Sequence, residues 1–107
     1  MMSETEGRFS NCFELVASLV EKETIRYSPA GVPILSISLL HKSRQVEAET
    51  ERVIEFEIPA IAIGNSAHQF ENIQPGVLYK FSGFMATKNR KSKNLLFHVT
   101  EIKFITI

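Results

Sequence analysis

The sequence from Val77 to Ile105, VLYKFSGFMATKNRKSKNLLFHVTEIKFI, gives the clearest indication of the architecture. Two apolar runs, residues 77–87 and 95–105, flank the hexapeptide Lys88–Lys93, and this pattern predicts two strands joined by a basic loop. The hexapeptide holds four of the twelve lysine and arginine residues of a chain with zero formal net charge. Such a local concentration indicates either an anion-binding surface or simply a solvated hairpin tip.

The composition is that of one globular domain of 107 residues, 44% of them hydrophobic. No apolar run approaches the roughly 20 residues of a transmembrane helix, and the polar, acidic N-terminus does not resemble a signal peptide. The single cysteine, Cys12, excludes an internal disulfide and is expected to be a small buried residue. We expect a cytoplasmic protein that makes no membrane contact, with residues 1–10 as a flexible N-terminal segment and residues 11–107 as the domain.

Alternation of apolar and polar residues predicts three strands upstream of the Val77 run, at residues 11–21, 34–42 and 53–58. The second of these strands presents short side chains on its polar face, so a ligand could approach the backbone there. A turn at residues 27–33 separates the first two strands. The charged residues 41–52 are predicted as a long connection that forms the mobile end of a hairpin.

Three smaller signals complete the predicted order of elements. Pro59 either ends the third strand or marks an edge position. Residues 60–70 are predicted as a short helix or an irregular plug, with an N-cap in Gly64-Asn65-Ser66. Gly83, inside the fourth strand, predicts a bulge or a bend around a closed sheet.

This order predicts an all-β fold, a five-stranded oligonucleotide/oligosaccharide-binding (OB) barrel with a short helical segment between strands 3 and 4. The alternative is a five-stranded SH3-like barrel, which usually lacks the long connection between its third and fourth strands. In an OB barrel the loop between the last two strands borders the ligand groove, which favours a binding role for Lys88–Lys93.

Signals for catalysis are absent from the sequence. The three histidines, His41, His68 and His98, have no metal-ligand spacing, and His98 is expected to be a structural residue with its hydrogen bonds satisfied. There is neither a glycine-rich phosphate loop nor a nucleophile elbow. The acidic residues between Glu47 and Glu57 are expected to form a solvated face. We therefore expect a protein that is not an enzyme, with no catalytic residue, no metal and no cofactor.

Several segments in order resemble the PriB family (primosomal replication protein N), small relatives of bacterial single-stranded-DNA-binding protein. The most specific is the Ser-Pro-x-Gly-x-Pro turn at residues 28–33, with the strand after it and the His-x-Ser at residues 41–43. The resemblance extends over nearly the whole chain, through residues 11–20, 25–33, 41–43, the end of strand three at Pro59, and residues 75–77, 81–84, 96–98 and 101–102.

The resemblance implies an OB-fold homodimer without catalytic activity. The row of Cys12, Val16 and Val20 could form the dimer contact or could be buried under the N-terminal segment. The resemblance also implies three further partners: single-stranded DNA, the PriA helicase and a helicase-loading primosomal protein. By the same resemblance, together with the local aromatic Tyr27, the candidate DNA-binding residues are Arg26, Tyr27, Lys42, Arg44, Lys88, Arg90, Lys91 and Lys93.

The chain departs from the enteric pattern of this family in its aromatic residues. Glu55 stands at or near the position of a tryptophan, and the chain contains no tryptophan. Tyr27 could replace it locally or serve only a structural role. Because stacking contributes roughly 1–3 kcal/mol per base, its loss should weaken DNA binding. Two hypotheses follow: a nucleic-acid-binding module, and an adaptor whose acidic residues 47–57 or basic loop meet a protein partner.

Overall fold

The computed structural model describes residues 8–105, so part of the predicted flexible segment, residues 1–7, and the last two residues of the predicted domain lie outside the described residues. A short helix, α1 (Asn65–Gln69), is followed directly by a 3-10 turn (Phe70–Asn72). The strands are β1 (Phe13–Lys22), β2 (Arg26–Tyr27), β3 (Pro33–Glu47), β4 (Thr50–Ile63), β5 (Leu78–Thr87) and β6 (Leu95–Phe104).

Five long strands close into a mixed β-barrel in the order β1-β5-β6-β4-β3, and β3 pairs back with β1. Closure depends on β1, which pairs with β5 through residues 13–18 and with β3 through residues 18–22. The pairing of β4 with β6 is parallel, and the other pairings are antiparallel. The predicted all-β barrel is therefore confirmed.

The helix lies between the fourth and fifth strands, so the predicted position between strands 3 and 4 was wrong. The prediction missed β2, because its two residues were assigned to the turn at residues 27–33 or left without an element. Arg26 and Tyr27 instead pair with Ile34 and Pro33, and this pairing adds one strand before the helix. The helix begins after Gly64, which has φ 80° and makes no side-chain cap.

The predicted long connection at residues 41–52 is also wrong. The antiparallel pairing of β3 with β4 continues without interruption to Glu47 and Thr50, which a two-residue turn joins. We call this outer part of the hairpin, residues 41–52, the ribbon. Because both of its faces carry mostly exposed polar residues, its sequence shows no apolar alternation that would have predicted the pairing. Pro59 does not end β4; it lies one residue before the pairing with β6 begins, which fits an edge position.

The alternation predicted the inward residues of β1 and β3 correctly, whereas the buried residues of β4 lie beyond its predicted range, residues 53–58. The helical segment closes one end of the barrel through Ala67 and Phe70, both fully buried. Cys12 is exposed, so the prediction of a buried cysteine was wrong; it shares the outward parity of Val16 and Val20. The other buried apolar residues are Leu15, Ala17, Leu19, Leu35, Ile37, Leu39, Ala60, Ala62, Ile73, Tyr79, Phe81, Phe97 and Val99.

Candidate nucleic-acid interface

An open groove of about 870 Å³ crosses the outer face of the barrel over β3, β4 and β6. One border is formed by the end of β5 and the basic loop, with Lys88 and Asn94. The opposite border is formed by the segment from β1 to β2, with Glu21, Glu23 and Arg26. The groove therefore lies between two polar edges, each of which contributes a cation.

The floor of the groove carries short polar side chains on β3 and apolar side chains on β4. Because Leu35 and Ile37 point into the core, the alternating residues Ser36 and Ser38 face outward with short side chains. Ile61 of β4 lies directly beside Ser36 in the strand pairing. A planar ligand group can approach the backbone across this part of the sheet.

Two side chains, Asn89 and Ser92, organise the basic loop, residues 88–93. The Oδ1 atom of Asn89 accepts hydrogen bonds from the backbone N–H groups of Lys91 and Ser92, both at 3.0 Å. The backbone N–H of Asn94 donates to Ser92 Oγ at 3.1 Å. These bonds hold the loop in a turn that leaves the lysine and arginine side chains exposed to solvent.

The candidate cations differ in their ion pairing. Within residues 8–105, neither Arg26 nor the four cations of the basic loop forms an ion pair. Lys42 pairs with Glu55 at 3.6 Å, and Arg44 pairs with Glu51 at 3.2 Å. The cations of the basic loop are therefore free of ion pairs within residues 8–105, whereas those of the ribbon are partly neutralised.

The structure separates the predicted DNA-binding residues into three groups. Arg26 and Lys88 line the groove on opposite borders, and the other loop cations, Arg90, Lys91 and Lys93, lie beyond Lys88. Lys42 and Arg44 lie on the ribbon, on the same face of β3 as Ser36 and Ser38. Tyr27 is 63% exposed and does not line the groove, because it follows Arg26 on the strand and points to the other face.

Two features of the groove were missed in the sequence. Glu21 and Glu23 add negative charge beside Arg26. His98 is half-buried in the groove and stacks on Phe84, with ring centroids 4.8 Å apart and an interplanar angle of 12°. Its ring nitrogens have no hydrogen-bond partner within residues 8–105, so the expected satisfied structural histidine was wrong. Only alternation in β6 hinted at its outward position.

The described residues show neither a metal-binding cluster nor a membrane-spanning helix. Residues 8–105 contain no group of three or more histidine, cysteine or acidic residues that could hold a metal ion. No helix in this part of the chain has the length and apolar character needed to cross a membrane.

Comparison with known proteins identifies the family. Residues 11–101 match a family described as another single-strand binding protein family. The replication restart protein PriB of Nitrosomonas europaea is 44% identical to this chain over 80 residues, which cover 75% of this chain and 74% of the relative. The chain belongs to the PriB family. The resemblance stated from the sequence is thus confirmed.

Solved structures agree with this PriB family assignment. The structure of PriB from Ralstonia solanacearum matches with a TM-score of 0.79 at 41% identity, covering 90% of this chain and 98% of that chain. The single-stranded DNA binding protein from Thermus aquaticus matches with a TM-score of 0.69 at 18% identity, covering 91% of this chain and 51% of that chain. The second likeness shows a shared fold, the OB barrel predicted from the order of elements.

Proposed function

We propose that this member of the PriB family binds single-stranded DNA in the groove and acts with the PriA helicase in replication restart at stalled forks, stimulating the helicase. The observation that carries the proposal is the pair of cations, Arg26 and Lys88, which form no ion pair within residues 8–105 and lie on opposite borders of one groove. Membership of a single-strand binding family supports it. In this proposal the chain works as a homodimer, without catalysis or a cofactor, and hands the fork to a helicase-loading primosomal protein.

The physical mechanism is neutralisation of the DNA backbone. Each lysine or arginine that contacts a phosphate releases condensed counterions, so affinity falls as salt rises, with a slope near −0.7 per contact for single strands. With three or four contacts per chain, a tenfold rise in salt lowers affinity by roughly two to three decades. Sequence preference is slight, because phosphate contacts carry no sequence information.

The test is fluorescence anisotropy of a labelled single-stranded oligonucleotide at low and high salt, for the wild type and the triple variant Lys88→Ala/Arg90→Ala/Lys91→Ala. We expect salt-sensitive binding by the wild type, and a large loss of affinity with a shallower salt slope for the variant. The charge-matched control, Arg8→Ala/Arg52→Ala/Lys103→Ala, removes three exposed cations that do not line the groove. Equal affinity of the loop variant and the wild type would contradict the proposal.

A second function, that of a protein adaptor with weak DNA binding, is favoured by the acids around the candidate site. Glu51 and Glu55 hold the ribbon cations in ion pairs, and Glu21 and Glu23 lie in the groove itself. In this version the basic loop or the acidic ribbon meets a complementary surface on PriA. Charge reversal of both segments should then abolish helicase binding, and helicase binding that survives both reversals excludes the adaptor.

A further inference from the structure

The phosphate contacts of the proposed function do not involve the stacked rings of Phe84 and His98. We infer that the two rings form an aromatic platform on which a base of bound single-stranded DNA stacks. This inference rests on the proposed function and adds to it a contact with the bases rather than with the phosphates.

The strand register places the platform in a continuous row across the groove. Ser36 of β3 pairs with Ile61 of β4, Ile61 pairs with His98 of β6, and His98 pairs with Phe84 of β5. Residues directly opposite in paired strands point to the same face of the sheet. The row therefore runs from a short polar residue, across an apolar one, to two parallel aromatic rings, all on the outer face.

The two rings are not needed to fill the barrel core. Their neighbours Phe81 and Phe97 are fully buried on the inner face, whereas Phe84 is 38% exposed. The exposed ring of Phe84 leaves apolar surface in contact with water, and a planar ligand group can cover that surface. Bases are such groups, since every base presents a π-face to an aromatic side chain.

A comparison of two histidines supports a ligand role for His98. The ring of His41 also lies next to a phenylalanine, but it hydrogen-bonds Val16 O at 2.6 Å and Ser43 Oγ at 2.8 Å, and so is fully used within the barrel. His98 has no such partner within residues 8–105. Its ring nitrogens are free to bond a base edge while its ring takes part in the stack.

The charges on the groove borders agree with this placement. Arg26 and Lys88 lie on either side of the floor that includes His98. A strand whose phosphates contact these cations can turn its bases toward the floor, where His98 lies with Phe84 stacked on it. The platform thereby supplies the stacking contact that a chain without tryptophan otherwise lacks.

The experiment compares binding of an oligothymidylate with that of an abasic oligonucleotide of the same length, by anisotropy at several salt concentrations. For the wild type we expect tighter binding of the oligothymidylate. Phe84→Leu should lower affinity for the oligothymidylate by roughly 5- to 100-fold, leave abasic binding unchanged and keep the salt slope. Phe84→Tyr, which keeps the ring, should retain wild-type preference. His98→Leu should lose the preference for the oligothymidylate.

Phe104→Leu is the matched control, since Phe104 lies on β6, is 76% exposed and packs against Tyr79 rather than against His98. Far-UV circular dichroism verifies the fold of each variant. Equal loss of oligothymidylate and abasic binding in Phe84→Leu would show a purely structural ring and overturn the inference. A Phe84→Leu variant that keeps the wild-type preference for the oligothymidylate would also overturn the inference. Absence of wild-type binding at low salt would overturn the proposed function and this inference with it.

Discussion

At Gly83 the backbone of β5 passes so close to β6 that no side chain fits. A Cβ atom at this position would overlap the carbonyl oxygen of His98 and lie 2.9 Å from its carbon. The register between the two strands shifts at the Ser82–Gly83 step, so the predicted bulge is confirmed. Glycine is therefore required here for close approach, and this approach also sets the pairing of Phe84 with His98.

We predict that Gly83→Ala lowers the free energy of unfolding by about 3 kcal/mol, because backbone atoms of β6 must move to admit the methyl group. Urea unfolding followed by circular dichroism measures this change. The adjacent Ser82→Ala, which removes a hydroxyl without adding volume, should change stability by less than about 0.5 kcal/mol. A Gly83→Ala variant as stable as the wild type would show that the strands can separate freely at the bulge.

At the scale of elements, the β3–β4 ribbon combines weak pairs with a strained turn. Its ion pairs join side chains that are more than half exposed, so each contributes roughly 0–1 kcal/mol. The turn residues Ala48 and Glu49 have φ of 51° and 62°. Positive φ at both central positions is the requirement of a type I′ turn, which favours Asn-Gly over these two residues.

Glu49→Gly should raise the free energy of unfolding by about 0.5–1 kcal/mol, because glycine adopts positive φ without a steric penalty. Denaturant titration of the purified variant measures the shift. Glu49→Gln removes the same charge but keeps the Cβ atom, and should give no gain. A lower midpoint for Glu49→Gly would contradict this account of the turn.

The whole molecule has zero formal net charge, but its cations and acids are unevenly distributed over the surface. Among residues 8–105, the cations of the groove and its loop form no ion pairs, while the ribbon holds its cations beside acids. The outward face of β1 carries another feature, since Val16 and Val20 are 39% and 45% exposed. Together with Cys12 they form an apolar row that a second chain could cover.

We predict that the protein sediments as a dimer of about 24 kDa, twice the chain mass of 12.1 kDa. The double variant Val16→Glu/Val20→Glu should sediment as a monomer, because burial of two unpaired carboxylates in an interface is costly. Val46→Glu, which adds a carboxylate at an exposed valine on the ribbon, should leave the mass unchanged. A wild type that sediments only at the chain mass would exclude pairing through β1.

The sequence by itself determined the all-β class, the inward parity of β1 and β3, the bulge at Gly83 and the exposed basic loop at residues 88–93. These features follow from local rules: a side chain on a strand alternates with its neighbours, and a closely packed strand admits only glycine. The two cations on opposite borders of the groove, Arg26 and Lys88, were likewise named from sequence, through the resemblance to PriB.

Only the tertiary structure decided the pairing of residues 41–52, the added strand β2, the exposure of Cys12 and the position of the helix after the fourth strand. It alone placed Glu21, Glu23 and His98 in the groove, and stacked Phe84 on His98. The pairing of residues 41–52 is local, but the exposed residues there show no apolar alternation. The groove lining depends on register between strands that are distant in the chain, such as β4 with β6, and a shift of one residue would turn these side chains to the opposite face. Local alternation carries no information about that register.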